Sequence, residues 1–345
     1  MEYVFPAQQW DRRAPEELGL DNAKLDAARE WMLTSPPDTR PTSAAIVRGG
    51  YLLADWYHKI EPTAANQRMA SVCKSIYCSM LGIAIAEGKI PSADARLVDY
   101  YPAIRELMDP AACPQPETAL TVEDVEQITF GMLAAQVSGF LRPNQSPGKA
   151  WHYQTHGMGV IMHAVAMAYG YYDPHDVAGS IGSGELIRAK LRDPIGGTWR
   201  WKYGGFPHPP TAKPWIFDNY TSLYMTTLDM ARMGLLWLAG GRWGGRQIIP
   251  AAWQQEASRV SDRVKAAAAP EDWKYGLGLW CNSEGRLWPD LPRDAYCAAG
   301  FNAKMIWVCP SLDLVVTQNS GRYDNMSVQQ ESSGLLSRVV DAIRS

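Results

Sequence analysis

The 345-residue chain reads as a mixed α/β protein. Its antiparallel sheet is assembled from the two ends of the chain and flanked by helices, with a mainly helical region inserted between them. Three observations predict this. Strand-like runs occur near residues 43–59 and return only after residue 275. Between them, apolar residues recur mostly at helical spacing. Residues 192–220 interrupt that spacing with Gly, Pro and Trp, a long irregular stretch of the kind that often carries binding function.

The elements follow in order. DNAKLDAAREWML (21–33) is an amphipathic helix with Asp21 or Asn22 near its start. SAAIVRGGYLLADWYHK (43–59) sets two apolar runs around Gly49-Gly50, which signals a hairpin. Residues 71–88 form a long apolar helix ending at Gly88. TVEDVEQITFGMLAAQ predicts a helix with Thr121 as N-cap and Asp124 three residues on. GMGVIMHAVAMAYG (157–170) and TTLDMARMGLLWLAGG (226–241) are further helices. YGLGLWC (275–281), AKMIWVC (303–309) and LDLVVTQ (312–318) read as strands, and 325–344 closes as a helix. The expected division is a sheet domain of residues 1–90 plus 250–345 and an inserted helical domain of 91–249, sharing a cleft.

Composition narrows the function. With 46% hydrophobic and 20% charged residues, the chain suits a soluble protein with a large core. Lys+Arg of 33 against Asp+Glu of 36 gives a formal charge of -3, and no basic stripe points to nucleic acid. MEYVFPAQQWDRRAPEELG lacks the pattern of a secretory signal, and no apolar run approaches the ~20 residues that span a bilayer. The expectation is a cytoplasmic protein without a membrane partner. The six cysteines (73, 78, 113, 281, 297, 309) contain no C-x-x-C pair and are expected as buried thiols.

The chemistry concentrates in RMASVCKSIYCSMLGIAIAEGKI (68–90), where Ser71 and Lys74 stand three apart at the head of the apolar run. Two fixed positions match by chance about once in a chain of this length. Ser146 and Lys149 also match, but Pro147-Gly148 between them breaks any helix. On a helix, positions three apart share a face about 5–6 Å apart at Cβ, so the Lys74 amine can reach the Ser71 hydroxyl. A serine becomes a nucleophile only when a group takes its proton. A buried lysine loses solvation and its pKa falls towards that task. The helix N-terminus adds N–H groups where an oxyanion develops. The bland alternative is an N-capping serine beside a solvent-facing lysine.

The 68–90 segment resembles the nucleophile helix of the serine β-lactamase-like hydrolases. Those include class C β-lactamases, D-amino-acid carboxypeptidases, esterases and 6-aminohexanoate-dimer hydrolase. Further blocks follow in order. ITFGMLAAQVSGF resembles the family's I-T-x-x-x-L-L-x-x-x-S-G segment, and PGKAWHYQTHGMGVI its P-G-x-x-x-x-Y-S-N segment. LYMTTLDMARMGLLWLAGGRWGGRQIIP resembles its T-x-x-D-M-A-R-F-G helix, and DAYCAAGFNAKMIWVCPSLDLVV its final strand pair. The resemblance implies a β-lactamase/transpeptidase-like fold, with Ser71 as acylated nucleophile, Lys74 as its partner and Tyr153 as proton shuttle. Lys74 would supply the positive charge that brings the phenol into range.

Two departures bear on substrate. The family's Y-x-N reads Tyr153-Gln154-Thr155, placing a hydroxyl where an amide often contacts substrate. A literal Y-x-N at Tyr323-Asp324-Asn325 falls after the last strand and is a decoy. The K-T-G or H-x-G motif falls at Ala298-Ala299-Gly300, without its cation; K-x-G at Lys202-Tyr203-Gly204 and Lys274-Tyr275-Gly276 lies outside that block. Gly300 is kept, so Phe301 would give the second oxyanion N–H beside that of Ser71. The resemblance then favours a small ester or linear amide as substrate. A penicillin-recognising D-amino-acid peptidase or β-lactamase, and a non-catalytic ligand-binding or regulatory protein, are the alternatives.

Other candidates are weaker. His152, His156 and His163 lack the H-E-x-x-H glutamate or an evident third ligand, so no metal is expected, and no cofactor. Asp218, Asn219 and Tyr220 are candidates to line the cleft, although Asp-Asn pairs commonly form turns. Trp199, Trp201 and Trp215 suit either a pocket wall or the core. The sequence leaves the oligomeric state open.

Overall fold

A six-stranded antiparallel sheet organises the molecule. The computed structural model describes residues 3–34, 42–62, 66–108, 122–140, 145–205, 219–319 and 328–344. In chain order the elements are α1 (Asn22–Thr34), β1 (Thr42–Arg48), β2 (Tyr51–His58), β3 (Gln67–Arg68), α2 (Val72–Ala86), α3 (Val122–Gln127), α4 (Phe130–Ala134), α5 (His156–Ala168), α6 (Ser183–Ile187), β4 (Arg200–Gly204), β5 (Tyr220–Met225), α7 (Thr227–Leu238), β6 (Arg242–Trp243), β7 (Arg246–Gln247), α8 (Ala251–Ala257), α9 (Asp262–Ala267), β8 (Trp280–Cys281), β9 (Tyr296–Gly300), β10 (Lys304–Cys309), β11 (Leu314–Asn319) and α10 (Val328–Asp341). The sheet order is β2-β1-β11-β10-β9-β8, so the chain's two ends meet where β1 pairs with β11.

Period-two alternation explains the layers. On β10, Met305 and Trp307 face one core with Leu25 and Met32 of α1 and Leu335 and Val339 of α10. Ile306 and Val308 face the other, larger core, built with α2, α5 and α7. On β1, Ala44 and Ile46 take the first side and Ala45 and Val47 the second. Gly49 and Gly50 close the β1–β2 hairpin at φ 58° and 92°. A Cβ at Gly50 would lie 2.0 Å from Val4 O, so only glycine admits the N-terminal segment there.

Helix α7 lies within the expected inserted segment yet packs on the sheet. A Cβ on Gly234 would stand 2.4 Å from Val315 Cγ1 and 3.0 Å from Ile306 Cγ2, so the glycine permits this close approach. Thr226 and Asp229 cap the helix reciprocally. Asp229 also accepts from Thr198 N (2.7 Å), and the buried Arg232 donates to the carbonyls of Pro6, Ala7, Gln8 and Ile195. This helix thereby ties the N-terminal segment and the 192–198 turn to the sheet.

Three expectations change. The helix foreseen across 121–136 is two helices, α3 and α4. The chain breaks at Ile128-Thr129, where Leu97 N donates to Ile128 O and Thr129 recaps by accepting from Met132 N. Thr121 lies outside the described residues. Of the strand foreseen at 275–281, only Trp280–Cys281 pairs with β9. Before it, Gly278 turns at φ 79° so that its carbonyl accepts from Ser75 of α2. The segment 192–220 also supplies β4, which joins β5 and β3 in a separate three-stranded sheet. Five cysteines (73, 78, 281, 297, 309) are buried thiols, and Cys113 lies outside the described residues. Among the described residues no helix is long and apolar enough to cross a membrane.

Candidate active site

Ser71 stands on a tight turn between β3 and α2. Met69 N still pairs with Leu223 O of β5, and Ala70 turns through φ 49°. That left-handed conformation is costly for a non-glycine residue. Ser71 occupies the N-cap position, but its side chain caps nothing. Its Oγ instead accepts from Lys74 Nζ at 2.7 Å. The bland alternative of a capping serine and a solvated lysine is therefore not what forms: Lys74 is 1% exposed. Ser146 and Lys149, by contrast, sit in a turn at Gly148 (φ 77°).

Burial sets the electrostatics. Desolvation pushes the Lys74 amine down to about 8, with a smaller opposing influence from neighbouring Cys73. Lys74 Nζ lies 4.8 Å from the centroid of the Tyr153 ring. Desolvation pushes the Tyr153 phenol up to about 12, with the Ser71 hydroxyl acting in the opposite direction. The expectation that Lys74 would bring the phenol into range is thus reversed, because burial outweighs any help from the amine. The Ser71 hydroxyl, the Lys74 amine and the Tyr153 phenol do converge, from the head of α2 and the segment before α5.

Gly300 ends β9 against this turn. A Cβ there would lie 2.5 Å from Met69 O and 3.2 Å from Val72 N, which only glycine avoids. Phe301 follows, 65% exposed, in a turn whose next residues, Asn302 and Ala303, are left-handed. Lys304, 6% exposed and opposite Gly300 in the ladder, donates Nζ to Phe301 O at 3.2 Å and pins that turn. Ala298 is fully buried in the core on the α2 side.

The remaining candidates separate. Thr155 is the half-buried N-cap residue of α5 and makes no side-chain cap bond. Asn219 sits at φ 59° before β5, its carbonyl 3.5 Å from His163 Nε2. His163 is buried and stacks on Tyr172 at 4.6 Å. Tyr220 is buried edge-on against Tyr77. Trp199 is wholly buried core rather than pocket wall, while half-buried Trp201 packs beside Gly184. Asp218, Trp215 and Tyr323-Asp324-Asn325 lie outside the described residues.

Sequence reasoning missed an aromatic cluster around the phenol. Tyr153 lies 5.2 Å from Trp280 and 5.9 Å from Tyr275, and Trp151 lies 6.3 Å from Trp280 (ring centroids). The only signal was the abundance of Trp and Tyr, which marks no position. It also missed Gln136, which lies within ITFGMLAAQVSGF with no local signal to mark it.

A profile of the family described as Beta-lactamase matches residues 38–326. A search of curated proteins finds no match. Among solved structures, a penicillin-binding protein homologue from Caulobacter crescentus superposes with a TM-score of 0.68 at 12% identity, over 97% of this chain and 100% of that one. A family VIII carboxylesterase gives 0.66 at 16% identity, over 93% and 97%. A β-lactamase from Mycobacterium bovis gives 0.60 at 16% identity, over 92% and 99%. At these identities the three show a shared fold. The profile spans most of the chain and agrees with that fold, so the chain belongs to the Beta-lactamase family, within the serine β-lactamase-like superfamily.

Proposed function

We propose that this protein is a serine hydrolase that turns over a small ester or linear amide through an acyl-enzyme on Ser71. One observation carries the reading: a lysine that is 1% exposed holds its amine 2.7 Å from a serine hydroxyl at a helix start. In the first half-reaction, neutral Lys74 takes the Ser71 proton as Oγ attacks the substrate carbonyl carbon. The proton passes through the Tyr153 hydroxyl to the leaving oxygen or nitrogen as its bond to carbon breaks. In the second half a water attacks the acyl carbon, its proton moves to the same pair, and Ser71 Oγ leaves and is reprotonated. A phenol held near 12 serves as a relay and never accumulates as phenolate.

The backbone N–H groups of Ser71 and Phe301 would hold the oxyanion. Buried Ala298 supplies no cation for a substrate carboxylate, which favours an uncharged acyl group. Half-buried Trp151 and Trp280 and exposed Phe301 offer it apolar surface. The test is a panel of p-nitrophenyl esters, anilides and a chromogenic cephalosporin, assayed with wild type and Ser71→Ala. Ester or anilide turnover lost in the variant supports the reading. Equal turnover by both proteins rejects it, and preferential cephalosporin turnover would transfer the assignment to the β-lactamase branch.

A further inference from the structure

The residue before Tyr153 and the residue after it are both held by Gln136. His152 N donates to Gln136 O at 2.9 Å. On the other side, Gln154 N donates to Gln136 Oε1 at 3.0 Å, and Gln136 Nε2 donates to Gln154 O at 3.1 Å. One side-chain amide therefore uses its donor and its acceptor on the same peptide neighbour, as a strand partner would. Gln136 is 1% exposed and turns through φ 64°, so neither solvent nor an ordinary backbone conformation puts it there. Gln154 in turn accepts from Gly157 N at 2.9 Å, which fixes the segment to the first turn of α5.

From this geometry we infer that Gln136 is a positioning residue: its bracket of residues 152 and 154 sets the Tyr153 hydroxyl where it serves Ser71. The inference rests on the acyl-enzyme reading above. The chemistry restricts what can replace it. Glutamate keeps an acceptor for Gln154 N but turns a carboxylate towards Gln154 O. Methionine matches the length and makes neither bond. Asparagine keeps both groups but withdraws them by one methylene.

The test compares two esters of one acyl group, p-nitrophenyl and ethyl. A p-nitrophenolate departs without a proton, whereas an ethoxide must be protonated as it leaves. A displaced Tyr153 therefore slows the ethyl ester more, whereas a loss of folded protein lowers both rates by one factor. Gln136→Met is expected to lower kcat/KM, which reports formation of the acyl-enzyme, about tenfold more on the ethyl ester than on the p-nitrophenyl ester. Tyr153→Phe should show the same order more strongly. If Gln136→Met yields no folded protein, Gln136→Asn takes its place under the same criterion. Equal factors in kcat/KM on both esters, or kcat/KM within about twofold of wild type on each, overturn the inference. Ester turnover that survives Ser71→Ala would instead sink the underlying reading, so the two failures are told apart.

Discussion

Lys74 Nζ donates to Ser71 Oγ at 2.7 Å from a position almost wholly removed from water. The amine is thereby brought to about 8, while the nearby phenol stands near 12. The division of labour follows. On the proposed reading the amine titrates near pH 8 and takes the proton, and the phenol relays it.

That division predicts the pH profile of kcat/KM. The base form is the neutral amine, populated above about 8. Below that value the rate should fall about tenfold per unit of pH, and above it the rate should level off to at least pH 10. Steady-state rates on a base-stable amide between pH 6 and 10 check this. A profile flat across that range would assign the base elsewhere.

Replacing Lys74 should separate activity from stability. Lys74→Met removes the base and should lower kcat/KM by about 10²–10⁴. It also removes a desolvated amine from the core, so its melting temperature should equal or exceed that of wild type. Lys74→Arg should be as inactive, because a guanidinium stays protonated. Calorimetry and kinetics on the same preparations decide the matter. An active Arg variant would contradict the assigned role.

Phe301 should matter through its backbone and not through its ring. Phe301→Ala keeps the N–H, so kcat should hold while KM rises for apolar acyl groups. Phe301→Pro removes the donor and should lower kcat about 10²–10³. Similar kcat for both variants would remove Phe301 N–H from the oxyanion site.

Arg232 should be structural. Its guanidinium satisfies four backbone carbonyls and lies 5.6 Å from the Trp10 ring. Arg232→Met leaves those acceptors without their donor and should cost about 2–4 kcal/mol in denaturant unfolding. The kcat of the remaining folded enzyme should be unchanged.

Much of this was legible in the chain because the signals were local. Gly49-Gly50 fixed a hairpin, and the spacing of Ser71, Lys74 and the following apolar residues fixed a helix with both groups on one side. The run TTLDMARMGLLWLAGG marked α7. What was not legible depends on distant partners. The β4 run RWKYG is exposed on four of its five residues and shows no apolar alternation, so only its pairing with β5 makes it a strand. YGLGLWC reads as a strand, yet Gly276 and Gly278 let it pack against Ala257 and Cys78 instead. The break at Ile128-Thr129 is imposed by Leu97 from a separate segment. Gln136 looked like a helix residue, and nothing nearby in sequence shows that it grips the peptide after Tyr153. The direction of the phenol's shift was misread because burial is a property of the assembled core.

The central claim is covalent, so its most direct test is covalent. Wild-type protein is quenched in acid during turnover of a slow ester, digested, and mapped by mass spectrometry. The account predicts the acyl increment on the peptide containing Ser71, absent from Ser71→Ala and strongly delayed in Lys74→Met. An increment on any other residue, or hydrolysis with Ser71 unmodified at every quench time, would contradict it.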